Sequence, residues 1–151
     1  MTIPQYRFFF DTSVYVAALL SPKGAARELV RLAEVEAIRM VVSQQVIIEI
    51  DRTFSEKFPE YLQESRRIWK NLQPEMVATP HASQQKPFLE TLDRADALIL
   101  CAAKQAKVAA FVTWNTRDFM KADVKGLVDF PIIVPGEGLE LFRKWIDPFL
   151  R

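Results

Sequence analysis

The chain has 151 residues, of which 50% are hydrophobic and 26% are charged, and its formal net charge is +1. This length and composition predict a single compact domain over residues 1–151. The near-zero charge excludes a global attraction to nucleic acid or to an anionic membrane, so any basic surface must be local. One cysteine and one histidine exclude a disulfide framework and a zinc site built from such ligands.

The chain also lacks the sequence signals of a membrane or secreted protein. No apolar run approaches the roughly 18 residues that a membrane-spanning helix needs. The first seven residues are too short and too polar to form a secretion signal before the first apolar run begins. We therefore expect a cytoplasmic protein without membrane association.

Short apolar runs alternate with amphipathic segments along the chain. The first run, Phe8 to Phe10, is typical of a strand that is buried on both faces. Further strands are predicted at 38–42, 76–79, 110–113 and 131–134. Helices are predicted at 14–20, 25–36, from Ser43 towards Pro59, at 61–72, 95–107 and beyond Gly136, with a polar loop at 81–88. This alternation predicts an α/β fold with a parallel sheet and right-handed crossovers.

Acidic residues fall where such a sheet would bring separate segments together. Asp11 ends the first strand, and Asp118 follows the fourth strand closely. Glu49 lies about two turns into the helix after the second strand, and Asp96 lies in the first turn of a later helix. Sites in open parallel sheets form outside the carboxyl ends of the strands. Carboxylates gathered there repel one another unless cations lie between them, so the pattern predicts a divalent-metal site.

Each of these positions also has a purely structural interpretation. Asp11 could cap the helix that follows it. Segments 93–96 and 115–118 both have the spacing of a capping box. Glu49, on a mostly apolar helix, could pair with a neighbouring basic side chain, Arg52 or Lys57. Trp114, directly after the fourth strand, could pack in the core or present its ring to a nucleic-acid base.

Four segments, taken in order, resemble a PIN-domain protein of the branch of toxin–antitoxin ribonucleases related to VapC. They are residues 10–25, 42–50, 93–100 and 111–119, and the ordered set is far more specific than any one of them. The resemblance implies a PIN-like three-layer α/β fold, with a parallel sheet of four to five strands flanked by helices. It also implies Mg²⁺- or Mn²⁺-dependent hydrolysis of RNA phosphodiester bonds.

Carried over by position, the resemblance assigns the catalytic and metal-binding acids to Asp11, Glu49 and Asp96. The family's fourth acidic position falls on Asn115, where many members have Asp, and Asp118 three residues later is expected to supply the missing charge. Both are therefore included among the expected metal ligands, and Asp118 among the catalytic residues.

Other residues are expected to support these acids. Ser13 stands where the branch often has Asn, and its hydroxyl can bond the Asp11 carboxylate or a metal-bound water; Thr113 is expected to act in the same way. The candidates for holding substrate phosphates are basic residues that could equally be solvated charges, namely Lys23, Arg27, Arg94 and Arg117.

The expected partners are an RNA substrate, a cognate antitoxin protein and a second copy of the chain. Apolar candidates for a homodimer interface are Leu62, Trp69, Trp145, Phe149 and Leu150. Asn115 keeps open the alternative of a catalytically weakened PIN-like domain that binds RNA or a protein without cleaving. Two other classes fit less well: a receiver domain needs Asp where Thr79 ends the third strand, and a haloacid-dehalogenase-type phosphatase needs Asp at Ser13.

Overall fold

Five parallel strands form one sheet in the computed structural model of the chain, which describes residues 6–151. The strands are β1 (Tyr6–Phe10), β2 (Ile38–Ser43), β3 (Glu75–Val77), β4 (Ala110–Val112) and β5 (Ile132–Ile133). Their order across the sheet is β3-β2-β1-β4-β5. The polar start of the chain, considered above as a possible secretion signal, falls mostly on residues 1–5 and lies outside the described residues.

Helices connect the strands in every crossover. They are α1 (Thr12–Leu20), α2 (Ala25–Glu34), α3 (Gln44–Lys57), α4 (Leu62–Leu72), α5 (Ala82–Leu89), α6 (Arg94–Ala106), α7 (Thr116–Phe119), α8 (Ala122–Lys125) and α9 (Pro135–Leu150). A short 3-10 turn, Pro59–Tyr61, joins α3 to α4. The expected α/β fold with a parallel sheet flanked by helices is confirmed.

The side chains of β1 show how the three layers are held together. Tyr6 and Phe8 contact Trp145 of α9, with ring centroids 4.4 and 5.4 Å apart. Arg7 points to the other face, where its guanidinium donates a 2.7 Å hydrogen bond to the Ala106 carbonyl at the end of α6. Because successive strand residues face opposite sides, α9 and α6 cover opposite faces of the sheet.

The centre of the sheet is fully buried. Phe8, Phe9 and Phe10 are each 0% exposed, which explains why this strand is a continuous apolar run rather than an alternating one. Burying each such side chain stabilises the fold by about 1.5–3 kcal/mol. The strand that carries Asp11 at its end is therefore firmly anchored in the core.

One predicted loop is a helix. Residues 81–88 were expected to form a loop because they are polar, but Ala82–Leu89 forms α5, with Pro87 inside the helix. This helix packs on α6 through one buried side chain, Phe88, and the ammonium of Lys104 lies 5.9 Å from the centroid of that ring. A single apolar anchor gives too weak a periodic signal to be recognised from the sequence.

The strand order places a topological switch point between β1 and β4. From β1 the chain passes to β2 and then β3 on one side, and it returns to β4 and β5 on the other. The connections therefore leave a crevice at the carboxyl ends of β1 and β4, which is where open parallel sheets bind their ligands. Among residues 6–151, no helix is long and apolar enough to cross a membrane.

Candidate active site

A cleft of about 660 Å³ opens at this switch point. Residues from four parts of the chain line it: the end of β1 with α1, then α3, then α6, and finally the segment after β4. The lining residues are Asp11, Thr12, Ser13, Val16, Ala17, Leu20, Glu49, Thr53, Asp96, Trp114 and Asn115. Three of the predicted acids and Asn115 therefore face one space.

Asp11 is buried at the base of the cleft, with only 4% of its surface exposed. Its backbone N–H donates to the Val112 carbonyl at 3.0 Å, which continues the β1–β4 pairing to the site. Burial raises the pKa of Asp11 above its ordinary value, the hydroxyl bonds from Thr113 and Ser13 oppose this, and the negative charge of Glu49 adds to it. A buried carboxylate with no cationic partner is costly, so the site favours a positive ligand.

Two hydroxyls connect Asp11 to the segment after β4. Ser13 Oγ and Thr113 Oγ1 both donate to Asp11 Oδ2, at 2.9 and 2.7 Å. Each hydroxyl oxygen also accepts a backbone N–H, Ser13 from Trp114 and Thr113 from Asn115, both at 2.9 Å. The carboxylate and the loop beyond β4 are consequently held in one fixed arrangement.

Glu49 reaches the cleft from α3 and is bonded only by neutral groups there. Thr12 Oγ1 donates to Glu49 Oε1, and Gln45 Nε2 donates to Glu49 Oε2, both at 3.1 Å. The alternative expectation, a pairing with Arg52 or Lys57, is not borne out within the described residues. The negative charge of Glu49 therefore remains uncompensated at the cleft wall.

Asp96 is half-buried in the first turn of α6 and feels all the other acids of the site. Burial raises its pKa to about 7, with further contributions from the negative charges of Asp11, Asp118, Glu49 and Asp93 in that order. Asp93 precedes the helix but makes no side-chain cap, so the capping-box interpretation of 93–96 is wrong. The shift shows that these carboxylates share one electrostatic environment.

Asn115 and Asp118 form a pair at the edge of the site. Asn115 Nδ2 donates to Asp118 Oδ2 at 3.1 Å, and the Asp118 N–H donates to Asn115 Oδ1 at 3.4 Å, so Asn115 caps α7 as the structural interpretation expected. Asn115 lines the cleft, whereas Asp118 contacts Asn115 but does not itself line the cleft. Asp118 acts on the cleft through its charge on Asp96.

The predicted phosphate-binding residues lie outside the cleft lining of the described chain. Lys23 is exposed in the turn between α1 and α2, and Arg94 is exposed at the start of α6. Arg27 is half-buried under α1 and donates to the Ala18 carbonyl at 3.4 Å. Arg117 is highly exposed, with its Nε 3.9 Å from an oxygen of Asp118. Lys23, Arg94 and Arg117 can therefore move towards a bound polyanion, whereas Arg27 is more constrained.

Sequence reasoning missed several residues that line or support the cleft. Thr12 and Gln45 hold Glu49, and the spacing of Gln45 four residues before Glu49 on a helix is a recognisable signal. Thr53, one turn after Glu49, was also missed. So was an apolar wall from α1, formed by Val16, Ala17 and Leu20. Nothing in the polar pattern of the sequence indicates that wall.

The donor set fits a hydrated divalent cation rather than a closed metal cage. Within residues 6–151, no group of three acidic, histidine or cysteine side chains is arranged closely enough to hold one ion. Mg²⁺ binds oxygen donors and usually keeps several waters while using one or two carboxylates. Asp11, Glu49 and Asp96 fit that requirement if some of them bind through water, and their mutual repulsion favours a cation between them.

Two solved structures share the fold of this chain. The chain is similar in fold to VapBC2 from Rickettsia felis bound to a DNA fragment from its promoter, with 17% identity and a TM-score of 0.60 over 85% of this chain and 98% of that chain. It is also similar to DNA-bound VapBC from Salmonella typhimurium, with 16% identity and a TM-score of 0.64 over 87% of this chain and 99% of that chain.

No curated protein matches the chain in sequence. At these low identities the solved structures show a shared fold and nothing finer. A sequence model of the PIN domain, however, matches residues 7–117, which is most of the chain and includes every acid of the cleft. The chain therefore belongs to the PIN-domain family.

Proposed function

We propose that the protein is a Mg²⁺- or Mn²⁺-dependent endoribonuclease and the toxin of a toxin–antitoxin pair. The observation that carries this proposal is the convergence of Asp11, Glu49 and Asp96 on one cleft without a compensating basic side chain in its lining. Such a site repels a phosphodiester unless cations are present, and attracts it once they are bound.

The acids and the hydroxyls of the cleft have separate roles in this proposal. When bound, the cation would lower the pKa of a water and stabilise charge on the phosphate oxygens. Asp11, Glu49 and Asp96 would hold that cation, and the hydroxyls of Ser13 and Thr113 keep Asp11 in its orientation. Cys101 is buried in the core, so it is not placed to act as a nucleophile in the cleft.

Asn115 and Asp118 adjust the charge of the site. Asn115 has an amide where many family members have a carboxylate. Asp118 contacts that amide, and its negative charge acts on Asp96. The amide at position 115 would weaken a second ion site more than the first. The exposed side chains of Lys23, Arg94 and Arg117 would contact the flanking phosphates of the RNA, with Arg27 contributing from the base of α2.

The proposed partners are an antitoxin and a second copy of the chain, and the proposed location is the cytoplasm. The antitoxin is suggested by the two similar structures, which are VapBC complexes. For a homodimer, Leu62, Trp69 and Trp145 are partly buried against the core, whereas Leu150 at the end of α9 is largely exposed. Light scattering checks the dimer, because a monomer has a mass of 17.4 kDa.

A cleavage assay tests the proposal. Purified protein is incubated with a mixed RNA pool, with and without Mn²⁺, alongside the Asp11→Asn variant. We expect degradation only by the wild-type protein and only with the metal, and we expect Mn²⁺ to raise the melting temperature of the wild type alone. Equal, near-wild-type cleavage by Asp11→Asn, Asp96→Asn and Asp118→Asn would show that the cleft is not a nuclease site.

A second candidate function has one observation in its favour. The acids of the described chain are not gathered closely enough to cage an ion directly, and Asn115 stands at the fourth position. A domain that binds RNA or a protein partner without cleaving would meet both facts. RNA binding that persists without cleavage at any concentration of Mg²⁺ or Mn²⁺ would favour this alternative.

A further inference from the structure

Among the phenylalanines, tyrosines and tryptophans of residues 6–151, Trp114 alone is exposed, with 45% of its surface accessible. The other two tryptophans are packed: Trp69 meets Tyr15 edge-on at 5.3 Å, and Trp145 stacks on Tyr6 at 4.4 Å, both measured between ring centroids. Trp114 lines the same cleft as the acids. A large apolar ring left in water beside a candidate catalytic centre is unusual, because burying it would stabilise the fold.

The backbone of Trp114 is fixed relative to Asp11. Its N–H donates to Ser13 Oγ at 2.9 Å, and the same hydroxyl donates to Asp11 Oδ2 at 2.9 Å. Its carbonyl accepts the N–H of Thr116 at 2.9 Å. One hydroxyl therefore links the buried carboxylate to the backbone of Trp114, so the point from which the ring projects is fixed relative to Asp11.

The cleft also has an apolar wall that the metal chemistry does not need. Val16, Ala17 and Leu20 of α1 line it, and their spacing puts them on one face of that helix. The acids and water alone could bind a cation and, through it, a phosphate. An apolar wall and an indole ring instead suit a flat, weakly polar group attached close to the phosphate, which is a nucleobase.

We propose that Trp114 is the stacking platform for one unpaired base next to the phosphate that is cleaved, with the α1 wall beside it. This inference rests on the proposed function and adds a determinant of substrate choice to it. Stacking on an aromatic ring tolerates any base but needs a base face that is free, so the site selects single-stranded over double-stranded RNA. Trp114 is thus a substrate-positioning residue, and not one that holds the cation.

An exposed tryptophan can also contact a protein. A base is favoured because the ring is tied through Ser13 to the carboxylate proposed to hold the cation, and because acids and ring share one cleft. A protein contact would need neither link. The two occupants make different predictions for the binding of bare RNA, since only a base-stacking ring matters when no partner protein is present.

Binding of fluorescent RNA oligonucleotides tests the inference in an Asp96→Asn background, with Mg²⁺ present, so that the RNA stays intact. Trp114→Ala is expected to weaken binding of single-stranded RNA about 5- to 150-fold, while Trp114→Phe stays close to its parent. Duplex RNA should bind weakly to all three. Met76→Ala, which removes another exposed apolar side chain on β3, is the matched control and should change nothing.

Thermal melts of each variant verify that it is folded before binding is measured. Equal affinity of Trp114→Ala and its parent for single-stranded RNA would overturn the inference and leave the ring to a protein partner, and so would equal losses in Trp114→Ala and Trp114→Phe. Wild-type cleavage measured in parallel separates the two proposals. If the wild type cleaves RNA and Trp114→Ala binds it as well as its parent, only the inference about Trp114 is wrong. If binding depends on Trp114 but the wild type does not cleave, only the proposed nuclease activity is wrong.

Discussion

Carboxylates at the two ends of the sheet behave in opposite ways. Near the amino ends of the strands, Glu75 of β3 accepts from Arg7 of β1, with 3.1 Å between Arg7 Nε and Glu75 Oε1, and from Arg39 of β2 at 3.3 Å. The hydrogen bond from Arg7 is the main reason that the pKa of Glu75 lies below its ordinary value. At the carboxyl ends, Asp11 and Asp96 have raised pKa values because they are buried among other acids.

The contrast separates carboxylates that stabilise the fold from carboxylates that do not. A carboxylate matched by two arginines adds to the stability of the sheet. Carboxylates that are crowded together lower the stability of the ion-free protein, since each is harder to ionise than it is in water. The acids at the carboxyl ends of the strands lack basic partners of this kind, and this contrast supports the proposal that a cation binds there.

The largest expected effect is the loss of cleavage in Asp11→Asn. An amide binds a divalent cation poorly, so RNA cleavage should fall at least about 100-fold. Glu75→Gln is the matched control from the opposite end of the sheet, and it should cleave at the wild-type rate. Initial rates on a fluorogenic RNA, at saturating Mn²⁺, measure both. Equal losses in the two variants would mean that the ends of the sheet do not differ in function.

A second experiment ranks the acids within the cleft. Asp96→Asn should reduce cleavage about 100-fold, whereas Asp118→Asn, which removes a charge behind Asn115, should reduce it less than about tenfold. Asn115→Asp should raise the rate at low Mg²⁺, because an added carboxylate strengthens a weak ion site. Titrations of the rate against Mg²⁺ compare the three variants. An Asp118→Asn loss as large as that of Asp96→Asn would place Asp118 among the direct ligands.

The two variants should differ in the opposite sense in stability: Glu75→Gln should lower the free energy of unfolding, and Asp11→Asn should not. Glu75→Gln leaves Arg7 and Arg39 without their carboxylate and should lower the free energy of unfolding by about 1 kcal/mol. Asp11→Asn, made without added metal, should leave that free energy unchanged or raise it, because it relieves repulsion. Urea unfolding in the presence of a chelator is the measurement. An Asp11→Asn protein that is clearly less stable than Glu75→Gln would contradict the comparison.

The last expected effect is a pH dependence of the ion-free fold. The pKa of Asp96 rises from 3.8 to about 7 on folding, so its contribution to stability is present below about pH 4 and is lost as the pH rises through 7. Glu75 has the opposite sign, because its lowered pKa makes its contribution disappear as the pH falls below 4.5. Melting temperatures between pH 4 and 8 should therefore show a decline that Asp96→Asn makes shallower. An unchanged profile in that variant would remove Asp96 as its cause.

Much of the fold was predictable because its signals are local. Three consecutive phenylalanines indicate a strand covered on both faces, and the alternation of strands with amphipathic segments indicates parallel crossovers. Helix α5 was missed because only Phe88 anchors it and Pro87 suggests a break. The capping box at 93–96 was wrong because the Asp93 side chain makes no cap, a matter of rotamer and not of spacing.

The site was predictable only as far as topology determines it. Parallel strands bring their carboxyl ends to one edge, so Asp11, Glu49 and Asp96 could be expected there together. The hydroxyl bonds from Ser13 and Thr113 to Asp11 were expected and are present. The bonds that these hydroxyls accept from the backbone of the loop after β4 were not expected, because they depend on side-chain orientation, which no sequence pattern encodes. The exposure of Trp114 was likewise open, because an aromatic residue after a strand is equally compatible with packing inward.

The hydroxyl bond from Thr113 to Asp11 spans 102 positions of the chain, and this separation has a consequence for synthesis. A ribosome adds about 5–20 residues per second, so roughly 5–20 s pass between the emergence of these two residues. During that interval the nascent polypeptide has already exposed Asp11, Glu49 and Asp96, but it lacks the strand against which β1 must close. The cleft therefore cannot close before β4 and Thr113 have been synthesised, although its three acids are made earlier.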